Sequence, residues 1–154
     1  MTNNIIGIKD TFITDLKNFT NSNKFISINS KRKFKIIVAS EVIEHFLNPL
    51  KGFKSLFKFL DQEGLLICSS NINDNFEDIS HHIYPFFKGH TSYYSAKSLE
   101  IIAKHYKLCY DFRIPKCARQ EAGPRKRYIF FYKNPKIHNQ IATYFGRHLY
   151  AHSE

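Results

Sequence analysis

The sixteen residues from Phe34 to Pro49 constrain this chain most, because they begin a strand and then refuse to continue it. Ile36 to Ala39 is a short apolar run, which fits a strand buried on both faces of a sheet. Ser40 and Glu41 break the run where the strand's carboxyl end should emerge. Glu41, Glu44 and His45 then follow at i, i+3 and i+4. If the backbone turns helical there, the three side chains share one face and can converge on one point. Two carboxylates and an imidazole above a strand end are costly to leave unpaired. They are the first candidate site.

The flanking periodicities alternate between strand and helix. Asn4 to Ile8 reads as a strand, and Phe12, Leu16 and Phe19 as the stripe of a helix after it. Lys24 to Ile28 alternates like an edge strand, and the focal strand at Lys35 to Ala39 comes next. Asn48-Pro49 suits a helix start, and Leu50, Phe53, Leu56, Phe57 and Leu60 form the apolar stripe beyond it. Gly64 is expected to stop that helix before a buried strand at Leu65 to Ser69. A polar loop from Asn71 to Ser80 leads into an aromatic and histidine-rich passage, His81 to His90. Ser95 is a candidate N-cap for a helix carrying Leu99, Ile102, Ala103 and Tyr106. Leu108 to Ile114 and Tyr128 to Lys133 read as an antiparallel strand pair, followed by a helix carrying Ile137, Ile141, Phe145 and Leu149. This order predicts a single α/β domain over residues 1–154. Its open sheet would bind ligands at strand carboxyl ends.

Composition narrows the class. The 154 residues are 43% hydrophobic and 16% aromatic, enough for a packed globule. No apolar run reaches the roughly 18 residues of a membrane span. The amino terminus lacks the basic and apolar regions of a signal peptide, so a cytoplasmic protein is expected. Cys68, Cys109 and Cys117 have no CxxC spacing and read as free thiols. The net charge of +10 fits lysines scattered over a solvated surface, the dense exception being Arg125-Lys126-Arg127.

Three segments carry a resemblance to a known family. They are Ile36-Ile-Val-Ala-Ser-Glu-Val-Ile-Glu-His-Phe-Leu-Asn-Pro49, Gln62-Glu-Gly-Leu-Leu-Ile-Cys-Ser69 and Gly89-His-Thr-Ser-Tyr-Tyr-Ser-Ala-Lys-Ser-Leu99. In this order the chain resembles the class I S-adenosylmethionine-dependent methyltransferases, most of all the type 11/23 and ubiquinone-biosynthesis-like branches. The resemblance implies a Rossmann-like, mostly parallel sheet closed by a C-terminal antiparallel pair. It implies S-adenosylmethionine as cofactor and a small-molecule or polyisoprenoid-type methyl acceptor. The family's first strand and its glycine-rich turn have no counterpart, the six glycines being too dispersed. A domain truncated at its amino end is therefore expected, with a complementing N-terminal fragment or self-association as the way to complete the sheet.

Within that resemblance Asp10, Ser40 and Glu41 fall on the cofactor side. The plainer role for Glu41 is to favour a helix amino terminus electrostatically. His90 falls where it could act as general base toward the acceptor, while His81 and His82 read as lid residues that pack. The Glu41-x-x-Glu44-His45 spacing with distant His90 also resembles the magnesium site of small-RNA 3′-end 2′-O-methyltransferases and of ubiquinone O-methyltransferases. That resemblance implies Mg²⁺ bound by Glu41, Glu44, His45 and His90, and a vicinal-diol acceptor. An RNA partner is then the alternative to a small molecule, a reading that the basic triplet favours. A non-catalytic remnant of the fold is the alternative outside the enzymes.

Overall fold

The computed structural model describes residues 29–73, 79–115, 126–146 and 149–151. The expected strands at Asn4 to Ile8 and Lys24 to Ile28, the helix between them, Asp10, Cys117 and Arg125 all lie outside those residues.

The focal strand, β1 (Phe34–Ser40), runs parallel to β2 (Leu60–Asn71), with Ile37 opposite Leu66 and Ala39 opposite Cys68. The crossover between them is α1 (Pro49–Phe59). Its first turn is satisfied by Asn48, whose side chain accepts from the Lys51 N–H at 3.0 Å, with Pro49 at the first helical position, where no N–H is needed. Helix α2 (Ala96–His105) starts at the expected Ser95. Ser95 Oγ accepts from the Ser98 N–H, and Ser98 Oγ accepts in return from the Ser95 N–H. Strands β3 (Cys109–Pro115) and β4 (Lys126–Tyr132) form the expected antiparallel pair. Helix α3 (Ile137–Phe145) and a short β5 (Leu149–Ala151) complete the described chain.

The sheet order is β1-β2-β4-β3-β5. The expected α/β, Rossmann-like class holds. Among the described strands β1·β2 is the parallel pairing, and the contacts of β4 with β2 and β3 and of β5 with β3 are antiparallel. The β2 run is apolar on both faces because both are covered. Leu66 and Cys68, with Ile129 and Phe131 of β4, meet α1 and α2. Leu65 and Ile67, with Phe130 and Tyr132, meet Ile137 and Ile141 of α3.

Two boundaries differ from expectation. Gly64 does not stop α1, which ends at Phe59, and Leu60 already pairs with Phe34. The register then slips between Phe34 and Ile36, and Gly64 sits in that bulge, where a Cβ would come within 2.8 Å of the Phe34 carbonyl oxygen. The glycine thus serves close backbone approach in a strand. Leu149 lies not on the last helix but in β5, since α3 gives way at Gly146 and the chain pairs with the edge of β3 at Pro115.

The centre of the larger core is Phe53, fully buried, with its ring edge-on to Phe46, Tyr94 and Phe131 and stacked on Phe57. Phe53→Ala is expected to cost about 3–5 kcal/mol of stability in urea denaturation. Leu50→Ala, on the same helix but 45% exposed, is expected to cost well under half of that.

Candidate functional site

The segment after β1 does not become a regular helix. Glu41 takes a left-handed backbone (φ +52°), and its N–H donates to the Ser69 carbonyl oxygen at 2.9 Å, as if β1 and β2 ran one residue further. A single 3₁₀ turn, Ile43–His45, follows. The left-handed residue reverses the chain so that Glu44 points into the protein, where it is fully buried, and His45 lies half-buried at its edge. Non-glycine residues adopt this conformation at a cost, and such strain concentrates at sites that need a side chain placed there.

Tyr84 organises the buried carboxylate. Its hydroxyl lies 2.8 Å from Glu44 Oε1, 3.1 Å from Glu41 Oε2 and 3.0 Å from Ser70 Oγ. Ser70 Oγ donates to Glu44 Oε2 at 3.1 Å. One phenolic proton cannot serve two carboxylates at once, so Glu44, at the shorter distance, takes it. Lys126 Nζ stands 2.9 Å from Glu41 Oε1 as a charge contact, without the alignment of a hydrogen bond. Burial pushes the Glu44 carboxyl above its ordinary range, and the Glu41 charge adds to the rise. Burial likewise raises the Tyr84 hydroxyl, so it stays protonated as a donor.

The 89–94 segment is stitched onto the 3₁₀ turn. Thr91 and Ser92 N–H groups both donate to the Glu44 carbonyl oxygen, Ser92 Oγ donates to the Phe46 carbonyl, and Tyr94 OH donates to that of Ile43. His90 is thereby laid against His45, their ring centroids 5.0 Å apart and edge-on. His45 Nδ1 donates to the Gly89 carbonyl at 2.8 Å, and His90 Nδ1 donates to the Tyr84 carbonyl at 2.7 Å. A carbonyl oxygen can only accept, so each neutral ring keeps its proton on Nδ1 and leaves the Nε2 lone pair open. Gly89 suits this turn because its φ is +94°, a backbone conformation that side chains with a Cβ rarely adopt.

Donor atoms of Glu44, His45 and His90 all lie within 4.8 Å of one another. Three of the four residues expected around a metal therefore meet, while the fourth, Glu41, stands one phenolic hydroxyl away. Ser40 lies at the strand end, its hydroxyl 2.8 Å from that of Ser69. His82 is within 3.1 Å of the Tyr93 hydroxyl, and the two rings meet edge-on. Ser70, Lys126 and the organising role of Tyr84 carry no signal in local spacing, because they come from other elements. Gly89, next to His90, is the one that a motif could have flagged.

A model of the methyltransferase domain, type 23, matches residues 7–108. The chain belongs to this methyltransferase family. The match takes in β1, α1, β2 and α2 and therefore every residue of the candidate site but Lys126. A solved S-adenosylmethionine-dependent methyltransferase from Thermotoga maritima, described as a possible histamine N-methyltransferase, aligns with a TM-score of 0.51 at 14% identity, over 70% of this chain and 60% of that one. The methyltransferase domain of bacterial CtHen1 aligns with a TM-score of 0.44 at 23% identity, over 70% of this chain and 58% of that one. The chain thus spans about three-fifths of each. At these identities the first likeness shows the methyltransferase fold. No curated protein matches the chain. Among the described residues no helix is long and apolar enough to cross a membrane.

Two predictions test the site of this methyltransferase domain. Glu41→Gly is expected to be more stable than Glu41→Ala by about 1 kcal/mol in urea denaturation, because only glycine occupies the left-handed region freely. Equal stabilities would show that the turn stores no strain. The second concerns Glu44, whose folded carboxyl titrates above its ordinary 4.5. The folded state then holds a proton that the unfolded state has released, so Glu44 weakens the cation-free fold increasingly as pH rises above that value. Glu44→Gln is expected to gain stability over the native chain near pH 7 and to lose that gain near about pH 4. A difference independent of pH would contradict the assigned shift.

Proposed function

We propose that this domain transfers a methyl group from S-adenosylmethionine to one hydroxyl of a vicinal diol, and that Glu44, His45 and His90 hold a divalent cation for the purpose. What supports the reading is the convergence of one buried carboxylate with two imidazoles whose proton-bearing nitrogens are already committed to backbone carbonyls. Such outer hydrogen bonds fix the tautomer and aim of metal-ligating histidines. Two nitrogen donors shift the preference from Mg²⁺, a strongly oxygen-seeking ion, toward Mn²⁺ or another first-row cation. When bound, the cation would stabilise negative charge on the acceptor oxygens.

The chain's own residues then have separate tasks. His90 serves as ligand rather than general base, since Tyr84 O engages its Nδ1 and a single Nε2 cannot do both. Tyr84 and Ser70 hold the Glu44 carboxylate in one orientation. Ser40 and Glu41 border the strand end on the donor side, with Asp10 outside the described residues. In-line displacement would form the acceptor oxygen–methyl bond as the methyl–sulfur bond of the donor breaks, with the hydroxyl proton passing to solvent, and it depends mainly on how closely donor and acceptor are held. A vicinal diol is common to catechols and to the terminal ribose of an RNA. The polyisoprenoid-type acceptor has no comparable convergence behind it among the described residues. A complementing segment or second copy would have the outer edge of β1 to pair with. Among the described residues β1 pairs on the β2 side alone, and Ile36 is 57% exposed.

Titration calorimetry with Mn²⁺ is expected to show one site per chain, weakened at least about tenfold in Glu44→Ala and in His90→Ala. S-adenosylhomocysteine is expected to give heat and a thermal shift. Methyl transfer that continues unchanged in chelator would end the cation reading. Silence with S-adenosylhomocysteine would leave a fold remnant without cofactor.

A further inference from the structure

Lys126 lies beyond residues 7–108, which the methyltransferase model matches, yet it reaches the candidate site from across the sheet. It opens β4 opposite Asn71, at the carboxyl end of β2. Glu41 follows β1, and β2 stands between β1 and β4 in the sheet. The contact of Lys126 Nζ with Glu41 Oε1 at 2.9 Å therefore passes over the end of β2, beside Ser70. The two side chains are 35% and 40% exposed, and an ion pair so exposed adds little to stability by itself.

Its consequence lies with the Tyr84 proton. Glu44 Oε1 at 2.8 Å and Glu41 Oε2 at 3.1 Å are both within reach of the one hydroxyl. The shorter distance favours Glu44, and charge reinforces the choice. Glu41 Oε1 is shut off from solvent and, among the described residues, receives no hydrogen bond. Its negative charge is met there by the Lys126 ammonium. Without that ammonium, an uncompensated carboxylate would draw the phenolic proton toward Glu41. Glu44 would then lose the Tyr84 donor and keep Ser70, a loss that is costly for a fully buried carboxylate. Rotation about the Glu44 side-chain torsions would relieve that cost, and it would move the carboxylate relative to His45 and His90.

We propose that Lys126 is a positioning residue: it neutralises Glu41, reserves the Tyr84 proton for Glu44, and so holds the Glu44 carboxylate toward His45 and His90. The role rests on the cation reading above for its purpose. The assignment of the proton, however, is a property of the cation-free protein and is tested there.

Carbon-13 NMR of protein labelled at tyrosine Cζ reads the hydrogen bonding of Tyr84 without any cation, its signal being the one lost in Tyr84→Phe. Lys126→Met is expected to shift that signal. Adding Glu41→Gln to Lys126→Met is expected to return it most of the way, because the competing charge is gone. In calorimetry Lys126→Met is expected to weaken Mn²⁺ binding about tenfold, the low end of what a substitution behind a metal ligand costs. The double variant and Lys126→Arg are expected to bind Mn²⁺ as the native protein does. A Tyr84 signal that Lys126→Met leaves in place would overturn the proposal. So would a shift or a Mn²⁺ loss that survives in the double variant, because Lys126 would then act through packing. Native protein that gives no heat with Mn²⁺ would end the cation reading, and the NMR signal would still decide which acid holds the proton.

Discussion

The structure turns on one buried carboxylate. Glu44 has no exposure to solvent, and a carboxylate in that position is expensive unless polar partners surround it. Its side chain is met by Ser70 from β2 and Tyr84 from the passage before α2, and its carbonyl by Thr91 and Ser92. Elements separated by 26 to 48 residues are therefore drawn together around a single glutamate. The same bonds that satisfy Glu44 bring His90 against His45. Stabilising the buried acid and assembling the cluster are one event.

That arrangement explains why the strand end is irregular. A regular helix from Ser40 would have put Glu41, Glu44 and His45 on one face at once, as their spacing suggested. The left-handed Glu41 instead separates the two acids, sending Glu44 inward and leaving Glu41 to Lys126 and the far side of Tyr84. The acids share a phenol rather than a ligand position. Tyr84 also reaches His90 twice, through its carbonyl and through a ring contact at 4.4 Å. Its backbone and its hydroxyl thus serve opposite sides of one cluster.

Much of the scaffold was legible because its signals are local. Apolar spacing, Asn48-Pro49 and Ser95 act within a turn of where they stand, so α1 and α2 begin where the residues say. Leu66 and Cys68 alternate with Leu65 and Ile67 in a strand covered on both faces, as an unbroken apolar run requires. Gly64 and Leu149 misled for a common reason. Each follows a helix whose local pattern runs on into it, whereas the β1–β2 pairing around Phe34 in one case and the edge of β3 in the other decided its place.

The sequence by itself determined which side chains could do chemistry: two acids and a histidine after a buried strand, and one more histidine next to a glycine. Tertiary structure decided which of them meet, which nitrogen each imidazole exposes, and that Tyr84 and Ser70 would hold the acid in place. It also decided that Lys126, from a distant strand, would stand against Glu41. The reason is range. Helical and strand spacing specify neighbours a few residues apart, but the partners of a buried charge come from wherever folding brings a donor, and no local pattern records that distance.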